Sequence, residues 1–289
     1  MIRVLYVAGA SHSGSTLLHL VLAAHSRCVG LGEVARTLGP GEDGLALTLQ
    51  RRCSCGSAPR DCVFWGEAIF RLSRHQGNAL EDQYQVVLAT FADVFGSDRI
   101  LVDSSKSPMP MRALARLPEV DLRVAHLIKD VRAWVTSQDD LQRQPGAREV
   151  SPRLWGMTRL FREWYRKNRE IQRLISEEDL RGLRLGYEEL CFFPEAMIEK
   201  LCELLGEEPE ASMLSPDGSG CHVLRGNKAA VYHAHRSETR SSAIQYDHRW
   251  LCRNDWLLCS LLHRRIMRFN RTEVYGNAVV PHFRRRRMG

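Results

Sequence analysis

The stretch GASHSGST, residues 9–16, has the residue types and spacing of a phosphate-binding loop. It fits the pattern G-x-x-x-x-G-K-[ST], except that Ser15 stands where the pattern has lysine. The apolar run VLYVA precedes it and LLHLVLAAH follows it, which predicts a strand, a loop and a helix. Backbone N–H groups and a helix N-terminus would still bind a phosphate there, but the charge that holds β- and γ-phosphates is missing. The loop therefore predicts a nucleotide whose chemistry needs neither magnesium nor a γ-phosphate.

A second pattern with the right residue types is KDVRAWVTS, residues 129–137. Lys129 follows an apolar run, and Ser137 comes eight residues later in a helical pattern. Eight residues are about two helical turns, so the ammonium and the hydroxyl can reach the same side of the helix. A cation and a hydroxyl so placed predict a site for one phosphate group.

Strand-like and helix-like segments alternate along the chain, and they must position these motifs. Apolar runs predict strands at 3–8, 99–105, 122–130 and 183–190, and helical patterns follow at 15–25, 111–117, 131–138 and 194–206. This alternation predicts an α/β fold with a parallel sheet, whose ligands bind at the carboxyl ends of the strands. The less regular stretches 39–62, 139–153 and 206–248 are interpreted as lids or insertion loops of one domain covering 1–289.

Composition narrows the class of partner without naming it. The chain has 289 residues, 44% of them hydrophobic, and a formal net charge of +7, which favours an anionic partner. No secretory signal and no apolar run long enough for a membrane span are evident, so we expect a cytoplasmic protein with no membrane partner. The basic run Arg284 to Arg287 is read as a solvated end, and no basic face with interleaved aromatic residues predicts nucleic-acid binding.

The two motifs together resemble those of the sulfotransferases that use 3′-phosphoadenosine 5′-phosphosulfate (PAPS). Their first motif is a relative of the phosphate-binding loop, read here as HSGSTLL, with His12 where most relatives have lysine or arginine. Their second motif binds the donor's 3′-phosphate with a basic residue and a serine eight positions later, read here as Lys129 and Ser137. The resemblance implies a three-layer α/β/α fold with a central parallel sheet, like that of P-loop NTPases.

Further segments resemble the bacterial and tyrosylprotein-type branch of that family. GLGE matches a segment with a catalytic glutamate, Glu33, and DSSKSP matches a lysine-bearing strand end, Lys106. LGYEEL matches a segment whose tyrosine, Tyr187, lies near the adenine, and YGN at 275–277 is also similar. CHVLRGN resembles a loop that closes over the donor and supplies Arg225, Gly226, Asn227 and Lys228.

The resemblance implies a role for each of these residues. Glu33 would be the general base on the acceptor hydroxyl, while Lys106 and His12 would neutralise the leaving oxygen and the transferring group. The donor's 5′-phosphosulfate would lie on the loop, against Ser11, His12, Ser13, Gly14, Ser15 and Thr16. The implied reaction moves a sulfuryl group from PAPS to a hydroxyl of a small molecule or glycan, with no metal required. A homodimer is possible on the sequence.

Several other interpretations stay open on the sequence. The chain could be an atypical P-loop kinase, for which Asp103 is the only fair candidate as metal-binding acid, or an inactive nucleotide-binding relative. The loop serines could be helix caps, and Glu33 could complement the dipole of a following helix. The cysteines of CSCGSAPRDC, Cys53, Cys55 and Cys62, could be thiols, could include a disulfide, or could bind zinc with a histidine as the fourth ligand.

Overall fold

A five-stranded parallel sheet forms the centre of the molecule. The computed structural model describes residues 1–38, 52–75, 79–142, 153–225 and 244–276. The strands are β1 (Ile2–Ala8), β2 (Cys28–Gly32), β3 (Ile100–Lys106), β4 (Val120–Ile128) and β5 (Arg181–Gly186). Their order across the sheet is β2-β3-β1-β4-β5, and every pairing is parallel. The predicted parallel α/β architecture is confirmed.

Helices connect the strands and cover the sheet. In chain order they are α1 (Ser15–Ala23), α2 (Val34–Leu38), α3 (Trp65–Arg74), α4 (Leu80–Phe95), α5 (Pro108–Ala115), α6 (Val131–Gln142), α7 (Arg153–Glu177), α8 (Tyr187–Phe192), α9 (Pro194–Leu205), α10 (Leu257–Leu262) and α11 (Arg264–Tyr275). Among the described residues, no helix is both long and apolar enough to cross a membrane.

The alternation of side chains along β1 divides the core between the two faces of the sheet. Val4 and Tyr6 belong to a cluster that includes residues of α3, α4, α5 and α7. Leu5 and Val7 belong to another cluster, with residues of α1 and α9. Successive strand residues point to opposite faces, so the unbroken apolar run from Val4 to Ala8 in β1 requires a helical layer on each side. The three-layer α/β/α arrangement follows from this pattern.

The predicted strand at 183–190 is too long. The strand ends at Gly186, and Tyr187 begins helix α8. The carboxylate of Glu189 accepts a hydrogen bond from the backbone N–H of Gly186 at 3.2 Å, a local bond that starts a helix in place of an extended chain. The predicted loops are also partly helical, because α6 continues to Gln142 and residues 59–61 and 211–214 form 3₁₀ turns.

Strand β2 was not predicted. Its sequence, CVGLG, contains two glycines and only one β-branched residue, so it gives a weak strand signal. Its five residues are nevertheless all buried, and it pairs with β3 at the edge of the sheet. This strand carries Glu33 at its end.

Candidate functional site

The candidate residues converge because four neighbouring strands end at one edge of the sheet. The glycine-rich loop follows β1, Glu33 follows β2, Lys106 ends β3 and Lys129 follows β4. Ala8 pairs in register with Lys106, and the backbone N–H of Gly9 donates to the carbonyl of Lys106 at 3.2 Å. The loop and the strand end that carries Lys106 are therefore joined directly.

The start of α1 is shaped by Gly14, which precedes the helix with φ at +90°. A Cβ at this position would lie 2.3 Å from a ring carbon of Tyr187, so only glycine fits both the conformation and the space. No side chain caps this helix by a hydrogen bond. The loop serines do not act as helix caps here, which leaves the N-terminal N–H groups of α1 available to a ligand.

Ser13 lies inside the loop with an unsatisfied hydroxyl. Its side chain is 1% exposed, and its Oγ has no hydrogen-bond partner among the described residues. A buried hydroxyl without a partner costs roughly 1–3 kcal/mol. Ser15, also buried, begins α1, and Thr16 follows it half-buried. The orphaned hydroxyl fits a loop built to hold the oxygen atoms of a ligand.

The loop is held from outside by α6. The indole N–H of Trp134 donates to the carbonyl of Ser11 at 2.7 Å, and the side-chain amide of Gln138 donates to the same oxygen at 3.4 Å. Both bonds are accepted by the backbone carbonyl of Ser11, so they hold the loop without using the hydroxyl of this residue. The helix that carries Ser137 also fixes the phosphate-binding loop.

His12 is exposed and has a left-handed backbone, with φ at +68°. Desolvation lowers its pKa from the usual 6.5, and the charges of Lys106 and Lys129 lower it further. The imidazole is therefore mainly neutral at neutral pH and contributes a hydrogen-bond donor rather than a full charge. A bound anion would oppose this shift.

Glu33 and Lys106 form a close ion pair. The distance from Lys106 Nζ to Glu33 Oε1 is 2.5 Å, and the two side chains are only 14% and 12% exposed. Arg36 approaches the other oxygen of Glu33 at 3.4 Å. Glu33 also directly precedes α2, as the helix-dipole interpretation requires, but its carboxylate is engaged with Lys106.

Asp103 supports this pair from inside the fold. It is fully buried, and its carboxylate accepts hydrogen bonds from the hydroxyl of Tyr84 at 2.6 Å and from the backbone N–H groups of Ser105 and Val34 at 2.8 and 3.4 Å. Burial raises its pKa to about 6. Asp103 therefore links the residues next to Glu33 and Lys106 and is not presented to a nucleotide-bound metal.

Lys129 and Ser137 are close in space, as their spacing predicts. The Nζ atom of Lys129 lies 3.5 Å from the Oγ of Ser137, and both residues are buried. The same Nζ lies 2.9 Å from Asp247 and 4.8 Å from the ring centre of Tyr187. A buried ammonium beside a hydroxyl, paired with the carboxylate of Asp247, has the chemistry to bind an anion.

Tyr187 connects the loop, Lys129 and the segment 244–248. Its ring packs on Gly14, and its hydroxyl donates to the carbonyl of Gln245 at 3.2 Å and accepts from the backbone N–H of Asp247 at 3.0 Å. Sequence reasoning missed Asp247 as a site residue. It lies 118 residues from Lys129 in a stretch read only as a loop, so no local pattern pointed to it.

Asp130, beside Lys129, has a structural role. It pairs with Arg132 at 2.7 Å. It also accepts hydrogen bonds from Asn270 at 2.9 Å and from Tyr275 at 2.8 Å. These contacts attach α11 to the end of β4, which accounts for the tyrosine of the YGN segment.

Arg225 lies next to the Glu33 end of the site. Its carbonyl accepts the backbone N–H of Glu33 at 3.3 Å, and its guanidinium donates to the carbonyl of Arg36 at 2.9 Å. The predicted donor-loop residues Gly226, Asn227 and Lys228 lie outside the described residues.

Comparison with known proteins finds one matching family and a shared fold. A family model described as "Sulfotransferase family" matches residues 5–211. The fold is similar to the sulfotransferase domain from the curacin biosynthetic pathway, with 15% identity, a TM-score of 0.52, and coverage of 91% of this chain and 97% of that one. It is also similar to the sulfotransferase domain of the Synechococcus PCC 7002 olefin synthase, with 17% identity, a TM-score of 0.53, and coverage of 91% and 94%. No curated protein sequence matches the chain significantly.

Proposed function

This chain belongs to the sulfotransferase family, and we propose that it transfers the sulfuryl group of PAPS to a hydroxyl of a small molecule or glycan. The released product would be adenosine 3′,5′-bisphosphate. The observation that carries the choice of donor is the buried pair of Lys129 and Ser137, which lies at the same sheet edge as the phosphate-binding loop. A nucleotide with phosphate groups at both ends of its ribose matches two such sites.

The loop supplies the groups for the 5′-phosphosulfate. The backbone N–H groups at the start of α1 and the unsatisfied hydroxyl of Ser13 are donors that this end of the ligand needs. Ser15 and Thr16 stand at the first positions of the same helix. The ring of Tyr187, packed between Gly14 and Lys129, offers an apolar surface close to where the nucleoside would lie.

The 3′-phosphate would take Asp247's place as the partner of Lys129. Asp247 is one-quarter exposed, and it is also paired with Arg249 at 2.8 Å. Its carboxylate therefore keeps a cationic partner after Lys129 turns to a phosphate. Lys129 and Ser137 together would then give the phosphate a charge-assisted bond and a hydroxyl bond.

Glu33 and Lys106 are suited to the transfer step. In this step a bond forms between the acceptor oxygen and sulfur, the bond from sulfur to the bridging phosphate oxygen breaks, and the acceptor proton passes to Glu33. Lys106 neutralises the charge that develops on the leaving oxygen. Their ion pair holds both groups at one place before substrates arrive. Such positioning is a large part of what catalyses group transfer.

A thermal-shift series tests the donor. Adenosine 3′,5′-bisphosphate, AMP, and ATP with magnesium are compared, since a ligand at about 100 times its Kd stabilises by about 2.7 kcal/mol. We expect only the bisphosphate to raise the Tm clearly. Stabilisation by ATP with magnesium alone would reject the sulfotransferase donor in favour of a kinase.

A matched pair of variants assigns the binding to the predicted site. Ser137→Ala removes the hydroxyl next to Lys129, and we expect it to weaken bisphosphate binding about tenfold. Thr136→Val is the control, because the hydroxyl of Thr136 bonds to the carbonyl of Arg132 in its own helix and to no other group in the part of the chain that the structure describes. Turnover of PAPS with a panel of phenols and alcohols then separates an enzyme from an inactive relative.

A further inference from the structure

Three cysteines and one histidine meet at a point away from the proposed donor site. The candidate ligand atoms of Cys53, Cys55, Cys62 and His222 all lie within 4.8 Å of one another. We propose that this cysteine–histidine cluster binds one structural zinc ion. Three thiolates and one imidazole form one of the usual ligand sets of structural zinc, and four protein ligands leave no open position for catalysis.

The separations within the cluster match those of a tetrahedral site. The Sγ atoms of Cys53 and Cys62 are 3.6 Å apart, and Cys62 Sγ is 3.3 Å from His222 Nδ1. With a zinc–sulfur bond of about 2.3 Å, two sulfurs at tetrahedral positions lie roughly 3.8 Å apart. Small side-chain movements therefore suffice to close the site around an ion.

The backbone around the cysteines is already arranged for ligation. The backbone N–H of Cys53 donates to the carbonyl of Ser57 at 2.9 Å. The backbone N–H of Gly56 donates to the carbonyl of Cys53, also at 2.9 Å. Gly56 makes this tight turn possible with φ at +90°. The backbone N–H groups of residues 64 and 65 donate to the sulfur of Cys62, which helps to hold that sulfur in place.

A second contact holds the histidine beside the cysteines. The backbone N–H of Ser54 donates to the carbonyl of Val223 at 3.0 Å, and its hydroxyl donates to the carbonyl of Cys221 at 2.9 Å. The indole N–H of Trp65 donates to the carbonyl of His222. The histidine is therefore held in place although 160 residues separate it from Cys62.

A disulfide would explain less of this arrangement. The Cys53 and Cys62 sulfurs are well beyond the bonded distance of about 2.05 Å, and a bond between them would leave Cys55 and His222 without a role. Cys53 and Cys62 are buried while Cys55 is exposed, as expected for a metal site at the edge of a domain.

The ion would connect two distant segments to the strand that carries Glu33. The backbone N–H of His222 donates to the carbonyl of Gly30 in β2 at 2.7 Å. The carbonyl of Arg225 accepts a hydrogen bond from the backbone N–H of Glu33. Ser54 bonds the cysteine segment to Cys221 and Val223, which lie beside the same strand. Zinc would therefore fix the wall beside Glu33 by cross-linking the two segments, and its binding energy would add to the stability of the fold.

Metal analysis of the purified 289-residue chain tests the proposal. We expect one zinc ion per chain by inductively coupled plasma mass spectrometry, and loss of that zinc in Cys62→Ser and in His222→Gln. Cys252→Ser is the matched control, because this cysteine is exposed and lies outside the cluster. Chelation should lower the Tm of the wild-type chain and of the control. The prediction is independent of whether the chain transfers sulfate.

A cobalt-substituted wild-type chain keeps the test decisive if the variants fail to fold. Three thiolate ligands should give an intense sulfur-to-cobalt charge-transfer band and the visible bands of tetrahedral cobalt. A zinc-free chain with all thiols reduced would overturn the proposal. So would a Cys53–Cys62 disulfide, detected as a mass lower by two hydrogens, or zinc retained by Cys62→Ser.

Discussion

The ammonium of Lys106 lies 2.5 Å from the carboxylate of Glu33, although the two residues come from the ends of different strands. The edge strand β2 brings Glu33 to this point, and β3 brings Lys106. The buried carboxylate of Asp103 accepts hydrogen bonds from the backbone N–H groups of Val34, which follows Glu33, and of Ser105, which precedes Lys106. The pair is therefore fixed from the interior and does not depend on two free surface side chains finding each other.

Replacing Glu33 with glutamine tests its role as the base. Glu33→Gln keeps the size of the side chain but removes its ability to accept a proton, so we expect kcat to fall about 100-fold to 10,000-fold. Bisphosphate affinity, measured by calorimetry, should change little because the carboxylate of Glu33 pairs with Lys106 and Arg36 and, among the described residues, makes no hydrogen bond to the loop or to Lys129. Glu67→Gln is the control, since Glu67 is also paired with an arginine, at 2.6 Å, but lies on α3. Unchanged turnover in Glu33→Gln would remove the proposed base.

The left-handed backbone of Lys106 allows its charge and its strain to be tested separately. Its φ of +70° costs roughly 1–3 kcal/mol in most residues, while asparagine tolerates this region better. Both variants lose the ion pair with Glu33, but asparagine also relieves part of the strain, so Lys106→Asn should be about 1 kcal/mol more stable than Lys106→Ala. Both should lose about the same large share of kcat, because both lack the ammonium. Retained activity in Lys106→Asn would exclude the proposed role at the leaving oxygen.

Asp247 is expected to compete with the donor for Lys129. Asp247→Asn removes the carboxylate that lies 2.9 Å from the ammonium, so bisphosphate binding should tighten by about 1 kcal/mol, or about fivefold. The matched control is Asp140→Asn, because Asp140 pairs with Arg249 and Arg253 but not with Lys129. Weaker binding in Asp247→Asn would show instead that this carboxylate holds Lys129 in place for the phosphate.

The parts of the site that sequence could predict are those encoded by neighbouring residues. The loop after β1 and the closeness of Lys129 and Ser137 follow from short spacings on one strand and one helix. Contacts between distant segments could not be predicted this way. Asp247 contacts Lys129 although 118 positions separate them in the sequence, and His222 contacts Cys62 although 160 positions separate them. Strand β2 was missed for another reason, since its pairing with β3, not its own residues, makes it a strand.

The buried His19 predicts a loss of stability in acid. It lies on α1 and is 2% exposed, and neither ring nitrogen has a hydrogen-bond partner among the described residues. Burial, aided by the charge of Lys106, lowers its pKa to about 4. Because the folded pKa is below the unfolded value of about 6.5, the folded state binds fewer protons between these values. Stability is thus complete above about pH 6.5 and falls toward pH 4, with a loss of about 2 kcal/mol at pH 5.

Urea unfolding of wild type and His19→Leu at about pH 7.5 and about pH 5 measures this loss. The variant should lose about 2 kcal/mol less than wild type on acidification, whatever its stability at the higher pH. Glu188, whose pKa burial raises to about 8, acts in the opposite direction, but equally in both proteins, so the difference isolates His19. The exposed His75, changed to glutamine, is the control and should keep the wild-type loss. Equal losses in wild type and His19→Leu would assign the acid sensitivity to other groups, of which His126, with a pKa that burial lowers to about 4, is the first to test.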